Sequence, residues 1–158
     1  ADVGLLADPG RPPRERLLRY ATALRTALLA HPGAAALLMT APMDGPTAAL
    51  IGELLMAALE EAGLAAADAA RGTYLLIVTV VGGVALEVAE TDGRAPLAPE
   101  ADRIAGRQAS LTQVPAEALP RTAAAAGTMA AWIGADQFDW MIGRVLDGVL
   151  AADPAQSA

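Results

Sequence analysis

Cysteine is absent from the 158 residues, which excludes a disulfide framework, a thiolate zinc ribbon and a thiol nucleophile. A single histidine, His31, excludes any metal site built on two of them. Lysine and asparagine are missing as well, so all 11 basic residues are Arg, a pattern of codon bias in a GC-rich genome rather than of chemistry. Aromatic residues are few, with one Phe, two Tyr and two Trp. Positive charge is short, 11 basic against 18 acidic residues for a net of −7, and such a balance does not grip phosphates unaided. No long apolar stretch occurs either: the longest run, residues 74–86, has 13 residues against the roughly 20 that cross a bilayer. The start, Ala1, Asp2, Val3, Gly4, shows no signal peptide and no initiator Met. The expectation is a cytoplasmic piece of a longer protein with no membrane partner.

What is abundant is helix-forming material. There are 40 Ala and 22 Leu, and 54% of the residues are apolar, enough for one domain core. Because the Ala excess shares the genomic bias, periodicity carries the all-α assignment. Residues 1–13 end in Asp8, Pro9, Gly10, Arg11, Pro12, Pro13, a breaker cluster read as a linker. A helix is expected over 13–30, with Leu17, Ala21, Leu24 and Leu28 as its buried stripe and Arg14, Arg16, Arg19 and Arg25 largely off it. Pro32 breaks the chain, and further helices are expected over 33–41 and 47–62, the latter stopped by Gly63 in a left-handed cap. Residues 66 or 68 to 90 form the next. Its centre, 75–81, has strand propensity, but a strand with no partner is unstable, and the segment is better read as a helix buried on both faces. A loop over 91–99, a helix over 100–110, helical pieces over 115–133 divided by Pro120 and Gly127, and a last helix capped by Asp136 follow. Residues 153–158 read as a frayed tail. The architecture expected is a bundle of about six to seven helices.

Chemistry-bearing patterns are sparse. No phosphate loop, nucleophile elbow or paired-histidine helix occurs, so neither an enzyme nor a cofactor or metal site is expected. Asp136 and Asp139 suit the positive end of a helix as well as they suit a metal. Glu60 and Glu61 point apart and make no carboxylate pair. His31, in the last turn before Pro32, is read as interacting with the negative helix end rather than as a catalytic base. Residues 11–25 hold five Arg against one Glu; a solvated face explains this, and contact with an acidic neighbour is the alternative. Met and isolated polar residues among apolar helices, namely Tyr20, Met39, Thr40, Met56, Tyr74 and Thr79, suit either core filling or the wall of a ligand cavity.

Four stretches taken in order carry a resemblance: residues 24–33, 59–64 (Leu59, Glu60, Glu61, Ala62, Gly63, Leu64), 82–87 (Gly82, Gly83, Val84, Ala85, Leu86, Glu87) and 138–148. Over about residues 14–150 the chain resembles the C-terminal ligand-binding and dimerisation domain of tetracycline-repressor-family transcription regulators. The resemblance implies a domain over 14–152 that follows an N-terminal helix-turn-helix domain and pairs with a second copy through a four-helix bundle made by residues 68–90 and 136–151. Val81, Gly82, Leu86, Met141, Val145 and Val149 would then lie in the seam, a self-complementary two-fold contact. The ligand site falls between the helices of residues 14–30, 47–62 and 68–90, which places Tyr20, Leu24, Leu37, Leu55, Met56, Tyr74 and Thr79 at or near it.

The positions matching the metal-binding histidine and the amide of tetracycline recognition are Leu37 and Leu55, so a more apolar effector is expected. The partners implied are thus a small-molecule effector, a second copy of the chain, and operator DNA only through the absent N-terminal domain. A different class stays open: a stand-alone helical protein that sequesters a hydrophobic compound.

Overall fold

The computed structural model describes residues 2–40, 44–91 and 93–151. Among them are eight α-helices: α1 (Pro13–Ala30), α2 (Pro32–Thr40), α3 (Pro46–Glu61), α4 (Ala66–Ala89), α5 (Glu100–Leu111), α6 (Pro120–Ala124), α7 (Ala126–Ala130) and α8 (Ala135–Leu150). Short 3₁₀ turns lie at Val3–Leu5 and Ala131–Ile133, and no strand occurs among the described residues. The end expected for α2 at Ala41, the break at Pro42 and Met43, and the tail 153–158 lie outside the described residues.

Proline opens α1, α2, α3 and α6. Its fixed φ suits a first helical turn, and its missing N–H is one that the helix leaves unbonded there anyway. This is why α2 starts at Pro32 itself rather than after it. The end of α3 follows the glycine rule closely: Gly63 has φ +104°, its N–H donates to Glu60 O at 2.9 Å, and Leu64 N–H donates to Leu59 O at 3.1 Å. Those two bonds satisfy carbonyls that the helix end would otherwise leave open. His31 is the exposed C-cap of α1, its backbone N–H bonded to Leu28 O.

The segment with strand propensity is the middle of α4. It stays helical because α1, α2, α3 and α8 all pack against α4, so that β-branched side chains find apolar neighbours without a sheet. By length and composition alone α4 suffices to cross a bilayer. Its nine buried residues, Glu87 among them, and its four helical neighbours make it the core helix of the bundle. Leu17, Leu59, Val84, Ile142 and Leu146 are fully buried around it.

Helix α8 crosses α4 closely at two glycines. A Cβ at Gly72 would meet Val149 Cγ1 at 2.9 Å, and one at Gly83 would meet Met141 Cε at 2.8 Å. The near-constant sum of the paired numbers shows the two helices running antiparallel. Gly82 and Gly143, by contrast, face open space.

Two expectations are corrected. Asp136 does not cap α8: the cap is Gly134, with extended backbone, and Asp136 sits in the first turn. The Ala135 N–H at that end donates instead to the Glu100 carboxylate of α5 at 3.1 Å. Nor is the start of the chain a bare linker, since Leu6 is buried with the main core and the Val3–Leu5 turn packs on α1.

Candidate functional site

Between α1, α3 and α4 lies a cleft lined by Leu17, Tyr20, Ala21, Leu24, Leu55, Leu76, Ile77 and Val80. Every lining group is apolar except the Tyr20 phenol, whose pKa burial pushes above its ordinary value of 10.0. The cleft is nearly closed, with a volume of about 20 Å³, room for about one water. Leu, Ala and Val side chains at helical spacing leave no reason for a larger gap, because unhindered apolar faces approach until dispersion contacts are made.

This cleft brings together three residues expected at the ligand site: Tyr20, Leu24 and Leu55. Met56 and Thr79 are half-buried outside its wall, and the Thr79 hydroxyl donates to Leu75 O at 2.7 Å. Leu37 and Tyr74 are not brought to it: they stand on the surface, 67% and 72% exposed. Met39 and Thr40 are exposed at the end of α2.

The residues expected in the seam divide in the same way. Val81 is 5% exposed and lies inside its own chain. Met141, Val145 and Val149 are half-buried, with Met141 over Gly83 and Val149 over Gly72. Gly82 and Leu86 do face outward, and with Tyr74 and Val78 they form a line at spacing four along α4, which Leu75 widens. Trp140 of α8 and Trp132 are exposed near one end of this line.

A second feature has no counterpart in the expectations from sequence. Arg25 of α1 makes two bonds to Glu87 of α4, at 3.2 and 3.0 Å, and one to Glu100 of α5 at 3.1 Å. Arg103 of α5 donates to the same Glu87 at 2.8 Å and to Ala98 O at 3.1 Å. The Arg25 guanidinium also lies 5.5 Å from the Phe138 ring centroid, a cation–π contact with α8. One turn along α5, Arg107 pairs with Glu90 and donates to Met129 O. Arg25 and Glu87 are both buried, so each charge depends on the others for compensation.

The sequence did carry a signal for this cluster. Arg25 stands four after Ala21 and three before Leu28, on the buried stripe rather than off it, and Glu87 is the one charge between residues 72 and 89. The Arg-rich segment is thus a solvated face only in part: Arg11, Arg14 and Arg19 are exposed, whereas Arg16 and Arg25 are buried. Arg16 is buried and pairs with Glu61, Arg14 bonds Asp147 at 2.7 Å, and Arg11 pairs with Asp8 and Glu15. Among the described residues no group of three or more potential metal ligands comes together.

Beside the ionic cluster is a roomier hollow of about 260 Å³, bounded by α4, α5, the Ala131–Ile133 turn and α8. Its wall includes Leu86, Glu90, Arg107, Trp132, Phe138 and Met141.

Comparison with known proteins agrees with this all-helical arrangement. A family model described as tetracyclin repressor-like, C-terminal domain, matches residues 7–152. An HTH-type transcriptional regulator of Saccharopolyspora erythraea is 36% identical over 86 residues, a stretch that covers 54% of this chain. The chain spans 36% of that regulator's length. No solved structure matches.

Proposed function

From the premise that the chain belongs to the tetracyclin repressor-like C-terminal domain family, we propose that it is the effector-sensing and dimerising part of a cytoplasmic transcription repressor. It binds a small, largely apolar molecule between α1, α3 and α4, and this binding controls a helix-turn-helix domain carried elsewhere in the full protein. The observation that carries the reading is the cleft itself, which gathers Tyr20, Leu24 and Leu55 from two helices against α4 with one hydroxyl in an otherwise apolar wall. That composition selects an apolar ligand with a single polar group.

The cleft holds only about 20 Å³ between its packed side chains. An effector must part α1 from α3 and α4 to enter. Because Arg25 ties α1 to α4 and α5, and Arg14 ties it to α8, such a shift loads these ion pairs and is passed on to the helices they join. The change it drives in DNA affinity is limited by the effector's preference for the opened arrangement. The exposed band of Tyr74, Val78, Gly82 and Leu86 supports pairing with a second copy across a two-fold axis.

Native mass spectrometry of the regulator purified from its own cytoplasm tests the sensing role. A retained small molecule, lost in both Tyr20→Ala and Leu55→Ala, is the expected result; retention in both variants would place the site elsewhere. For the pairing, Leu86→Arg should give a folded monomer in sedimentation analysis, and an unchanged dimer would remove α4 from the seam.

A further inference from the structure

The hollow between α4, α5 and α8 is more than ten times the volume of the apolar cleft and differs from it in chemistry. Its wall is aromatic and aliphatic at Trp132, Phe138, Met141 and Leu86 and charged at Arg107, Glu90 and Glu87, the last already held by Arg25 and Arg103. Its volume of about 260 Å³ approaches the lower end of the range for small-molecule sites, about 300 Å³. A second, more open basin adjoins it, sharing Glu90, Arg107 and Ile133 and adding Arg103.

Two guanidinium groups here are incompletely bonded. Arg107 Nε and Arg103 Nη1 are buried, and neither has a partner among the described residues. Arg103 is itself only 10% exposed. Buried N–H donors without acceptors are costly, and two of them one turn apart on α5 form a place where an acceptor is wanted. The local charges decide what kind of acceptor. Arg25, Arg103 and Arg107 balance Glu87, Glu90 and Glu100, but the six are not held equally. Glu87 is enclosed between two arginines, whereas the Glu90 side chain is 43% exposed and its pairing with Arg107 is the sort that water and salt weaken. Glu90 can turn into solvent at little cost, which leaves Arg107 with an unbalanced positive charge at the polar end of an aromatic hollow.

We propose that this hollow is a second ligand site, distinct from the cleft of Tyr20 and Leu55, and that it takes a flat aromatic carboxylate. The ring lies among Trp132, Phe138 and Met141. The carboxylate replaces Glu90 at the Nη1 end of Arg107, where the planar guanidinium fork accommodates two oxygens. Since Arg107 also holds the Met129 carbonyl of α7, a ligand here would steady the short helices beside α8.

The test uses 2-naphthoate as the probe, with 2-naphthylmethanol as its uncharged counterpart. In a Trp140→Phe background, Trp132 is the remaining tryptophan, and its fluorescence reports occupancy directly. The expected result is saturable quenching by naphthoate, with affinity at least about tenfold weaker for the alcohol and for Arg107→Gln, a loss of about 1.4 kcal/mol or more. Glu90→Gln should bind a few-fold tighter, because a competing carboxylate is gone. Tyr20→Phe and Leu24→Ala should bind as the parent does. Arg107→Lys, which keeps the charge but not the fork, should also weaken binding, and it serves in place of Arg107→Gln if the latter unfolds. Parent-like affinity in both Arg107→Gln and Arg107→Lys, equal binding of the alcohol, loss of binding in the Tyr20 and Leu24 variants, or no saturable quenching would each overturn the proposal. The first two outcomes deny a carboxylate site, and the third assigns the probe to the apolar cleft instead.

Discussion

The two sides of α4 were built from the same central helix and ended with opposite character. Toward α1 and α3 it presents Leu76, Ile77 and Val80 to Leu17, Tyr20 and Leu55, and only about 20 Å³ remains between them. Toward α5 and α8 it presents Glu87 to Arg103, with Arg25 reaching in from the far end of α1, and about 260 Å³ remains nearby. Apolar attraction has no preferred direction, so long regular helices bearing it close until they touch. Charged groups must instead hold partners at hydrogen-bonding distance, and the short helices α6 and α7 cannot cover the space as a continuous helix would. A single helix therefore supports a narrow apolar cleft on one flank and a roomier, charge-edged hollow on the other.

The largest test of this contrast is Glu87→Ala. It strips Arg25 and Arg103 of their shared carboxylate, and a cost of about 3–5 kcal/mol is expected in urea unfolding, because two buried cations lose compensation. A cost below about 1 kcal/mol would mean that the cluster is solvated and the contrast is false. On the other flank, Leu55→Ala should cost about 2–5 kcal/mol and enlarge the cleft, the usual outcome for a buried leucine removed from a closed core. Loss of much less than that would show that the helices collapse further to fill the gap.

Smaller effects sharpen the picture. Thr73 of α4 is buried, and its hydroxyl has no partner among the described residues. Thr73→Val, nearly the same shape, should therefore stabilise the protein by about 1 kcal/mol, seen as a higher urea midpoint at unchanged slope. The smallest effect concerns Tyr20. Its folded pKa is raised by burial, so the stability linked to its protonated form is fully present below the unfolded value of 10.0 and is lost as pH rises through the folded one. Tyr20→Phe should flatten this alkaline decline in thermal melts; an unaltered decline would mean that the phenol is hydrated rather than enclosed.

Much of the helical framework was legible in residue order. Proline marked the starts of α1, α2 and α3, Gly63 marked the end of α3 with its positive φ, and the lack of a partner strand turned residues 75–81 into helix. The candidate site was legible only in part. Tyr20, Leu24 and Leu55 line one cleft, between helices that the resemblance sets side by side. Tyr74 of α4 and Leu37 of α2 face outward, since on an all-apolar helix periodicity cannot distinguish a face that meets its own core from one that does not. Val81 was misplaced for the same reason, lying inside rather than on the band four residues apart that runs through Tyr74, Val78, Gly82 and Leu86.

Composition and spacing by themselves determined an all-α domain, its breaks and its lack of thiol or two-histidine chemistry, because these follow from local propensities and from which atoms are present at all. Only the tertiary structure decided that Arg16 and Arg25 of the first helix are buried against carboxylates. Arg25 meets Glu87 and Glu100 across separations of 62 and 75 residues, and no local rule connects residues so far apart until helices have packed. The same packing decided which flank of α4 closed and which stayed open, since that depends on whether the facing helix brings methyl groups or charges.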